Sequence, residues 1–458
     1  MILAAGVGSR MRSARPKVLH KIGGRTLLDA VLSAAEGLAP SRVVVVVGAG
    51  RHEVERSLSG RAVAFATQDP PRGTGDAARR GHDLLGSGEG PVLILAGDTP
   101  LLRTETLRRL VEHRRRGGLD LAFLSFRPPE PGQFGRVVRD GRGRVARIVE
   151  AANAGPREKK IREVNASVYC FAPEPLRRAL AALRPDATSG EIYLTDAVQI
   201  LISGKGSVDA LEAADWREAW GVNTRRDLAS AEELERRQRV EEALDLGVTL
   251  LDPATVRLGP RVTLSPDVVL HPFVSLEGNT AVGEGAEILP FTRLVDSQVA
   301  AGATVGPHCE VEGARIGARA RVGPFSRLRP GSEIQEDAHV GTFVEIKNSI
   351  LGKGSKAPHL TYLGDADVGA GSNIGAGVIT CNYDGEKKHR TTIGENVFVG
   401  SDTQLVAPVT VGKGAYVGAG STITEDVPEG ALALSRVPQT NEDGWVERRK
   451  GKKDEKQG

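Results

Sequence analysis

Residues 315–346 read RIGARARVGPFSRLRPGSEIQEDAHVGTFVEI, and an aliphatic residue recurs in this stretch at every sixth position. The series consists of Ile316, Val322, Leu328, Ile334, Val340 and Ile346. A period of six fits neither an α-helix, which repeats about every 3.6 residues, nor an alternating β-strand. It is typical of a solenoid in which each hexapeptide forms one flat side of a coil.

The same period occurs on both sides of this stretch. Upstream it comprises Val256, Val262, Val268 and Val274, and downstream Ile393, Val399, Leu405, Val411, Val417 and Ile423. Two segments, 347–367 and 376–392, interrupt the period, and interruptions of a solenoid are usually loops on its binding face. The pattern predicts a left-handed parallel β-helix, a hexapeptide-repeat solenoid, over residues 247–458.

The composition excludes several classes of protein. Among 458 residues, 61 are basic and 58 acidic, a balance that argues against a nucleic-acid coat. Three distant cysteines predict a reducing, cytoplasmic location without a disulfide framework. No apolar run is long enough to span a membrane, and no signal-peptide pattern precedes the first apolar run. The basic tail, from about residue 446, is expected to be solvated and disordered from Arg448 onward.

The N-terminal half alternates short apolar runs with helical patterns. Strands are predicted at 43–47, 92–96 and 121–126, and helices at 26–37, 75–85 and 104–116. This alternation predicts an α/β Rossmann-like domain with a doubly wound parallel sheet over residues 1–222. The charged stretch 223–246, which favours helix, predicts a connector helix before the solenoid.

Two short motifs in the N-terminal domain indicate phosphate chemistry. Gly6 and Gly8 let the backbone approach an anion, and Arg10 and Lys17 add positive charge. An ordinary strand-to-helix turn explains these residues equally well. Asp98 follows the apolar run VLILAG, at the strand end where ligands collect, and suits Mg²⁺. A helix or turn cap is the alternative for that carboxylate.

Together these motifs resemble the sugar-1-phosphate nucleotidylyltransferases. The resemblance continues through GQFGRVV (132–138), RIVEA (147–151), EVNAS (163–167), GEIYLTDA (190–197) and WGVNTR (220–225). With a hexapeptide solenoid behind it, the chain is similar to the bifunctional family that makes UDP-N-acetylglucosamine, a precursor of peptidoglycan and lipopolysaccharide. The resemblance implies acetylation of glucosamine-1-phosphate by acetyl-CoA, followed by coupling of N-acetylglucosamine-1-phosphate to UTP with release of pyrophosphate.

The resemblance assigns roles in the uridylyltransferase site. The backbone of Leu3, Ala4, Ala5 and Gly6, with Gln68, Gly73 and Thr74, would hold uracil and ribose, and Ala96 and Gly97 would border UTP. Arg10 and Lys17 would bind the triphosphate in catalytic roles, and Asp98 and Asn223 would ligate Mg²⁺. Gly135, Glu150 and Asn165 would line the sugar pocket.

Histidines in the solenoid half do not favour a zinc site, because His271, His308, His339, His359 and His389 lack ligand spacing. His359 in isolation is best explained as an ordinary loop histidine. The segments APHLTYLGDA (357–366), NIGAG, TCNYDG, VGSDTQLVAPV and SRVPQ, however, resemble the acetyltransferase half of the same family.

By that resemblance His359 is the general base that deprotonates the amine of glucosamine-1-phosphate, with Glu345 orienting its imidazole. Arg329, Lys347, Tyr362 and Asn373 would bind the sugar phosphate, and acetyl-CoA would contact Ala376, Asn382, Tyr383, Ser401, Ala419 and Arg436. Solenoids of this kind are similar in forming trimers, so we expect a homotrimer with shared acetyltransferase sites.

Two alternatives compete with the bifunctional enzyme. One is a nucleotidylyltransferase whose solenoid serves only assembly or regulation, and the other is a non-catalytic scaffold. Departures from the family pattern lie at Ser9, at Ala96, where an aromatic residue is frequent, and in EAANAG (150–155), which lacks a His-Lys pair. They concern details of the sugar pocket rather than the reaction.

Overall fold

The computed structural model describes residues 1–6, 8–86, 88, 90–187 and 189–454. These residues form two compact units, Met1–Gln238 and Arg239–Gly458, and the division falls inside a long helix. Each unit has its own hydrophobic core. No helix in the described part of the chain is long and apolar enough to cross a membrane.

The N-terminal unit contains eleven described strands and most of the described helices. The strands are β1 (Ile2–Ala4), β2 (Lys21–Ile22), β3 (Arg25–Thr26), β4 (Val44–Val47), β5 (Ala64–Thr67), β6 (Val92–Ala96), β7 (Leu121–Phe126), β8 (Arg136–Arg139), β9 (Val145–Val149), β10 (Val164–Phe171) and β11 (Val208–Glu212). The helices are α1 (Leu27–Glu36), α2 (Arg51–Ser57), α3 (Thr74–Leu85), α4 (Thr104–Arg116), α5 (Pro173–Ala182), α6 (Asp196–Ser203) and α7 (Arg225–Asp245). All strands and helices predicted in this half are confirmed to within one residue.

The main sheet has the order β11-β7-β10-β6-β1-β4-β5, with β8 and β9 attached beside β10. Strands β6, β1, β4 and β5 run parallel, as expected. The prediction of an entirely parallel sheet is wrong, because β10 lies antiparallel between β6 and β7. The chain reaches β10 from the antiparallel hairpin β8–β9, so no crossover helix reverses its direction before it enters the sheet.

Local sequence explains how these elements begin and where they pack. All four valines of β4 are buried, as expected for a central strand covered on both faces. Helix α1 begins after Thr26, whose Oγ1 accepts a hydrogen bond of 3.0 Å from the backbone N–H of Asp29. The strand β1 ends at Ala4 and β6 ends at Ala96, so the loops that follow both strands meet at one edge of the sheet.

The C-terminal unit is built from thirty short strands and one helix in the described residues. In chain order they are β12 (Thr249–Leu250), β13 (Arg257–Leu258), β14 (Thr263–Leu264), β15 (Val269–Leu270), β16 (Ser275–Glu277), β17 (Ala281–Val282), β18 (Glu287–Ile288), β19 (Arg293–Val295), β20 (Gln298–Val299), β21 (Thr304–Val305), β22 (Glu310–Glu312), β23 (Arg315–Ile316), β24 (Arg321–Val322), β25 (Arg327–Leu328), β26 (Glu333–Ile334), β27 (His339–Thr342), β28 (Glu345–Lys347), β29 (Ile350–Leu351), β30 (Lys356–His359), β31 (Tyr362–Gly364), β32 (Ala366–Val368), β33 (Asn373–Ile374), β34 (Ile379–Cys381), β35 (Thr391–Ile393), β36 (Phe398–Val399), β37 (Gln404–Val406), β38 (Val409–Val411), β39 (Tyr416–Val417), β40 (Thr422–Ile423), β41 (Leu432–Ala433) and α8 (Trp445–Asp454).

Every third strand belongs to the same sheet, so three parallel sheets form the sides of a left-handed β-helix. The first sheet runs from β12 to β41, the second from β13 to β40 and the third from β14 to β38. The aliphatic residues of the six-residue period point inward and are buried, except Val262, which is partly buried. The predicted solenoid is therefore confirmed. In the second and third runs the period is that of the inward-facing residue of each strand, whereas Val256, Val262, Val268 and Val274 lie just before β13, β14, β15 and β16.

One predicted interruption of the solenoid is wrong and the other is too wide. Strands β29, β30, β31 and β32 continue the coils through 347–367, with Val340 paired to Ala357 and Ile346 paired to Leu363. The period appeared to stop because one corner is shortened, so that the next buried aliphatic residue after Ile346 is Leu351, five positions later. The insertion between β34 and β35 is confined to residues 382–390.

The tail also differs from the prediction. Residues Trp445–Asp454 form helix α8, whose side chains are exposed up to residue 449, so disorder from Arg448 is wrong for the described part. The last four residues, 455–458, lie outside the described residues. Cys170, Cys309 and Cys381 are free thiols.

Candidate active sites

The loop that follows β1 forms one wall of a cavity in the N-terminal unit. Gly8 has a φ of 65°, and a Cβ at this position would lie 2.7 Å from Cβ of Lys17. Glycine is therefore required for conformation and for space, and the backbone of the loop packs directly against the lysine. The tight turn Ser9–Met11 follows and carries Arg10 toward the same cavity.

Lys17 lies at the centre of the charged side of this cavity. Its ammonium group forms an ion pair with the carboxylate of Asp98 and donates a hydrogen bond of 3.2 Å to Oδ1 of Asn223. The guanidinium of Arg10 donates to the same oxygen at 3.0 Å. Two residues predicted to hold Mg²⁺ thus present oxygen atoms to one positive charge, although 125 residues separate them in sequence.

The start of α7 fixes the position of Asn223. Oδ2 of Asp227 accepts hydrogen bonds from the backbone N–H groups of Asn223, at 3.0 Å, and Thr224, at 2.8 Å. In return, Oγ1 of Thr224 accepts from the backbone N–H of Asp227 at 3.1 Å. This reciprocal cap satisfies the free N–H groups of the helix end and holds the asparagine backbone at the cavity.

A second wall contains the residues predicted to hold uracil and ribose. Gly73 precedes α3 with a φ of 98°, and a Cβ there would lie 2.5 Å from the carbonyl oxygen of Ile192. Oγ1 of Thr74 accepts a hydrogen bond of 3.0 Å from the backbone N–H of Leu194. These contacts join the start of α3 to the segment that carries Tyr193 and Thr195.

The third wall contains the residues predicted to line the sugar pocket. The backbone N–H of Asn165 donates to the carbonyl oxygen of Gly135 at 2.9 Å, and its side-chain amide donates to the hydroxyl of Tyr169 at 2.7 Å. Oε1 of Glu150 accepts a hydrogen bond of 2.8 Å from the hydroxyl of Thr195. Burial raises the pKa of Glu150, because removal from water disfavours the charged carboxylate.

The cavity has a volume of about 570 Å³. All but one of the residues predicted for this site line it, namely Leu3, Ala4, Ala5, Gly6, Arg10, Lys17, Gln68, Gly73, Thr74, Ala96, Asp98, Gly135, Glu150, Asn165 and Asn223. Gly97 lies between two lining residues, where its backbone N–H donates to the carbonyl of Leu3 at 2.9 Å. Sequence reasoning missed Tyr169, which lies outside the quoted motifs, and Thr195, which lies inside GEIYLTDA.

In the solenoid, the second sheet stacks several predicted residues on consecutive coils. Glu345 pairs with Arg327 on one side and with Tyr362 on the other. Its Oε1 accepts a hydrogen bond of 3.1 Å from Nη1 of Arg329. Glu345 therefore bonds to this arginine, and no described residue hydrogen-bonds to the imidazole of His359. The role of Glu345 in orienting that imidazole stays a prediction.

A group of positive charges surrounds Asp365 on the same sheet. Nζ of Lys347 lies 3.7 Å from Oδ2 of Asp365, which also accepts a hydrogen bond from the side chain of Asn382. Lys388, on the insertion, contacts Lys347, and this neighbouring ammonium lowers the pKa of Lys388. Sequence reasoning missed Lys388, because only folding of the 382–390 insertion brings it beside Lys347.

His359 ends β30 on the first sheet, where it pairs with Thr342, and its side chain is exposed. After two intervening residues the chain enters β31 at Tyr362, so a single corner connects the histidine to the sheet that carries the group of charges. Asn373 lies on the next coil of the first sheet, paired with Lys356 rather than with the histidine. Burial lowers the pKa of His339 on the preceding coil. The nearby charges of Arg321, Lys356 and His359 lower it further.

The residues predicted to contact acetyl-CoA follow one corner of the last coils. The backbone N–H of Asp402, next to Ser401, donates to Ala376, and that of Gly420, next to Ala419, donates to Ser401. Nη1 of Arg436 donates to the carbonyl of Ala419 at 2.8 Å. Tyr383 is exposed on the insertion, while the side chain of Asn382 is buried against Asp365.

Known proteins match both units. Residues 1–197 match the family model of the MobA-like NTP transferase domain, and residues 390–425 match the bacterial transferase hexapeptide (six repeats). Several proteins named bifunctional protein GlmU are similar to the chain over nearly its whole length. The one from Koribacter versatilis is 43% identical over 99% of this chain and 98% of its own length. Those from Ralstonia nicotianae and Streptomyces avermitilis are both 46% identical, over 99% and 98% of this chain and 99% and 94% of their own lengths.

Proposed function

The chain belongs to the GlmU family, and from this premise we propose that its two sites catalyse consecutive steps in the synthesis of UDP-N-acetylglucosamine. The solenoid acetylates glucosamine-1-phosphate with acetyl-CoA, and the N-terminal unit couples the product to UTP with release of pyrophosphate. The observation that carries the proposal is the occurrence, in one chain, of a cavity around Lys17 and of a cationic group around Lys347, on the sheet that the chain enters directly after His359. We assign uridylyl transfer to residues 1–222, a helical linker to 223–246 and acetyl transfer to 247–458. These substrates suit a cytoplasmic enzyme.

Uridylyl transfer requires no general base at the N-terminal site. The nucleophile is the phosphate oxygen of N-acetylglucosamine-1-phosphate, which is already anionic, and it forms a bond to the α-phosphorus of UTP as the bond to pyrophosphate breaks. The difficulty lies in the negative charge on the triphosphate. Lys17 and Arg10 hold that charge in place, and electrostatic stabilisation of this kind is the main catalytic device available in phosphoryl transfer.

Mg²⁺ is the cofactor that fits the oxygen atoms of Asp98 and Asn223. Both oxygens contact the ammonium of Lys17, so this part of the cavity already accommodates a positive charge. Mg²⁺ takes few protein ligands and uses substrate phosphates for the rest, as a single carboxylate and an amide would require. When bound, the ion neutralises charge on the phosphates, which leaves Lys17 free to contact the triphosphate.

Acetyl transfer requires removal of a proton from the amine of glucosamine-1-phosphate. Arg329, Lys347 and Lys388 hold the phosphate group, with Tyr362 and Asn373 contacting the sugar. His359 accepts the proton of the ammonium, and the amine then attacks the carbonyl carbon of acetyl-CoA, forming a C–N bond as the C–S bond breaks. The CoA thiolate leaves and takes up a proton, so no acyl-enzyme is needed. The insertion at 382–390 and Ala376, Ser401, Ala419 and Arg436 border acetyl-CoA.

A stacked series of exposed rings supports a homotrimer. Phe273, Phe291, His308, Phe325 and Phe343 occupy the same corner on successive coils, with centroids 4.8–5.4 Å apart. We call these five residues the aromatic corner. The four phenylalanines are about half exposed, and a continuous apolar surface of this kind marks a protein interface. Subunits that pack along this corner form the trimer, and the 382–390 insertion reaches a neighbouring acetyltransferase site.

The test is to assay the two reactions separately in the full chain. His359→Ala should abolish acetyl transfer and leave uridylyl transfer from supplied N-acetylglucosamine-1-phosphate intact, whereas Asp98→Ala should have the reverse effect. A chain whose solenoid served only assembly would show no acetyl transfer before mutation. A joint loss of both activities in either variant would contradict the division between the two units.

A further inference from the structure

Helix α3 places the carboxylate of Asp76 against the side-chain amide of Gln68. Nε2 of Gln68 donates two hydrogen bonds of 2.9 Å, one to Oδ2 of Asp76 and one to the carbonyl oxygen of Gly73. Both side chains are buried, with exposed fractions of 3% for Gln68 and 7% for Asp76. Both hydrogens of the amide nitrogen are therefore used inside the protein.

Asp76 and the carbonyl of Gly73 fix the orientation of the side-chain amide of Gln68. A backbone carbonyl and a carboxylate are acceptors only, so they must face the nitrogen of the glutamine amide. Rotating the amide by 180° would place Oε1 against two acceptor oxygens and leave Oδ2 of Asp76 without its donor, whereas the carbonyl of Gly73 would keep the backbone N–H of Ala77. Buried polar groups without partners cost about 1–3 kcal/mol each, so the rotated state is strongly disfavoured.

The start of α3 surrounds the carboxylate of Asp76 with groups that attract negative charge. The residue lies in the first turn of the helix, where the helix dipole stabilises a negative charge. Nε of Arg80, one turn further along, lies 3.9 Å from the other carboxylate oxygen. Both neighbours stabilise a carboxylate that accepts hydrogen bonds and cannot donate one.

Oε1 of Gln68 is the atom left for a ligand. No described residue donates a hydrogen bond to this oxygen, and the oxygen is not one of the buried polar atoms that lack a partner. Gln68 also lines the cavity. We propose that Asp76 is a positioning residue that sets the base selectivity of the uridylyltransferase site by fixing Gln68 as a hydrogen-bond acceptor. This inference rests on the proposed function, in which Gln68 contacts the base.

A fixed acceptor selects bases by the edge they present. Uracil has an N–H donor at N3, whereas cytosine has an acceptor nitrogen there and adenine has an acceptor at N1. An acceptor held opposite cytosine N3 would leave two lone pairs facing each other in a buried site, and such mismatches give large discrimination. Thymine presents the same N3–H donor, so this contact rejects CTP and ATP but does not separate UTP from dTTP.

The experiment compares kcat/KM for UTP and CTP, with N-acetylglucosamine-1-phosphate and Mg²⁺, in the full chain. Asp76→Asn keeps the size of the side chain but adds an N–H donor, so that the carbonyl of Gly73 remains as the one acceptor that fixes the Gln68 amide and the rotated state costs less. The ratio of kcat/KM for UTP over CTP should fall about tenfold or more, consistent with one buried polar mismatch. KM for UTP should rise while kcat at saturating UTP and KM for the sugar phosphate stay within about twofold. Asp76→Ser, whose hydroxyl can donate and accept, tests the same point if Asp76→Asn proves unstable.

A double variant separates positioning from a general structural effect. In a Gln68→Ala background, Asp76→Asn should leave the UTP to CTP ratio unchanged, because the group that it positions is absent. The matched control is Asp83→Asn, an exposed carboxylate on the same helix, which should leave the ratio of the wild type unchanged. A ratio retained in Asp76→Asn and Asp76→Ser, or a ratio that falls equally in the Gln68→Ala background, overturns the inference. Absence of pyrophosphate release by the wild type would instead overturn the proposed function.

Discussion

The ammonium group of Lys17 forms an ion pair with the carboxylate of Asp98, 81 residues further along the chain. Both side chains are less than one-fifth exposed, and Asn223 shares the same ammonium. The pair lies on the charged side of the cavity. We expect this ion pair to hold Lys17 in position for the triphosphate, and Asp98 and Asn223 would be the residues that hold Mg²⁺.

Replacing Lys17 with methionine tests this arrangement. Lys17→Met keeps much of the side-chain volume but removes the charge, so kcat/KM for uridylyl transfer should fall about a hundredfold or more. Acetyl transfer by the same protein should not change. The control is Arg15→Met, an exposed cation in the same segment that does not line the cavity. Equal effects of the two variants would indicate a general effect of charge instead of a contact with the triphosphate.

Glu150 should lower the stability of the folded protein, because its carboxylate is buried at the predicted sugar pocket. Burial raises the pKa of Glu150, so the folded state holds the proton more tightly than the unfolded state does. The folded protein therefore loses stability as the pH rises from the pKa of Glu150 in the unfolded state through its pKa in the folded state. Glu150→Gln should therefore raise the melting temperature at pH 8 more than at pH 5, by about 2–4 °C for each kcal/mol recovered.

Differential scanning calorimetry of the full chain at both pH values measures this effect. Glu53→Gln, on the exposed face of α2, provides the control and should shift neither value. Glu150→Gln should also raise KM for N-acetylglucosamine-1-phosphate, because Glu150 is one of the residues predicted to line the sugar pocket. A variant that is equally stable at both pH values would contradict the stabilising effect of removing this buried charge.

The periodicity of the sequence predicted the solenoid because every inward residue of a coil faces the same narrow core. Val322 and Ile334 are both buried, as their spacing requires. The shortened corner before Leu351 hid the continuity of the coils, because a pattern with a fixed period cannot register a lost corner residue. The direction of β10 was likewise hidden, since strand direction depends on the connection and not on the composition of the strand.

In the candidate sites, too, some residues could be identified from sequence motifs and others could not. Motifs identified the residues around Lys17, because a phosphate loop requires particular residues at fixed spacing. The Asp76–Gln68 contact and the Lys347–Lys388 contact could not be read from the sequence. Each joins residues whose side chains meet only after a helix or an insertion has folded. Sequence therefore predicts the residues that line the cavity better than the residues that hold those side chains in position.

The aromatic corner should be required for assembly of the solenoid. Phe325 and Phe343 are neighbours with centroids 5.4 Å apart and are about half exposed. Introducing charge at both positions, as Phe325→Glu and Phe343→Glu, should prevent close packing of apolar surfaces and reduce the proposed trimer to monomers in light scattering. Acetyl transfer should fall with assembly, while uridylyl transfer should remain. The control is Glu284→Gln on a different corner; a trimer that persists in the double variant would place the interface elsewhere.

Gly341 should control the position of His359 through close contact between coils. A Cβ on residue 341 would overlap the carbonyl oxygen of Pro358 and lie 2.6 Å from its carbonyl carbon. These are backbone atoms of the residue before His359, so Gly341→Ala must displace β30 from β27. Overpacking of this kind costs about 1–3 kcal/mol.

We therefore expect Gly341→Ala to lower kcat/KM for acetyl transfer about tenfold or more, because a general base must lie within hydrogen-bonding distance of the proton that it removes. Uridylyl transfer in the same preparation should stay at the wild-type level, which separates local displacement from unfolding of the whole chain. The control is Gly354→Asn, at a corner with a φ of 67° and open space, a conformation that asparagine tolerates. Full acetyl transfer by Gly341→Ala would mean that the position of His359 does not depend on the contact between β27 and β30.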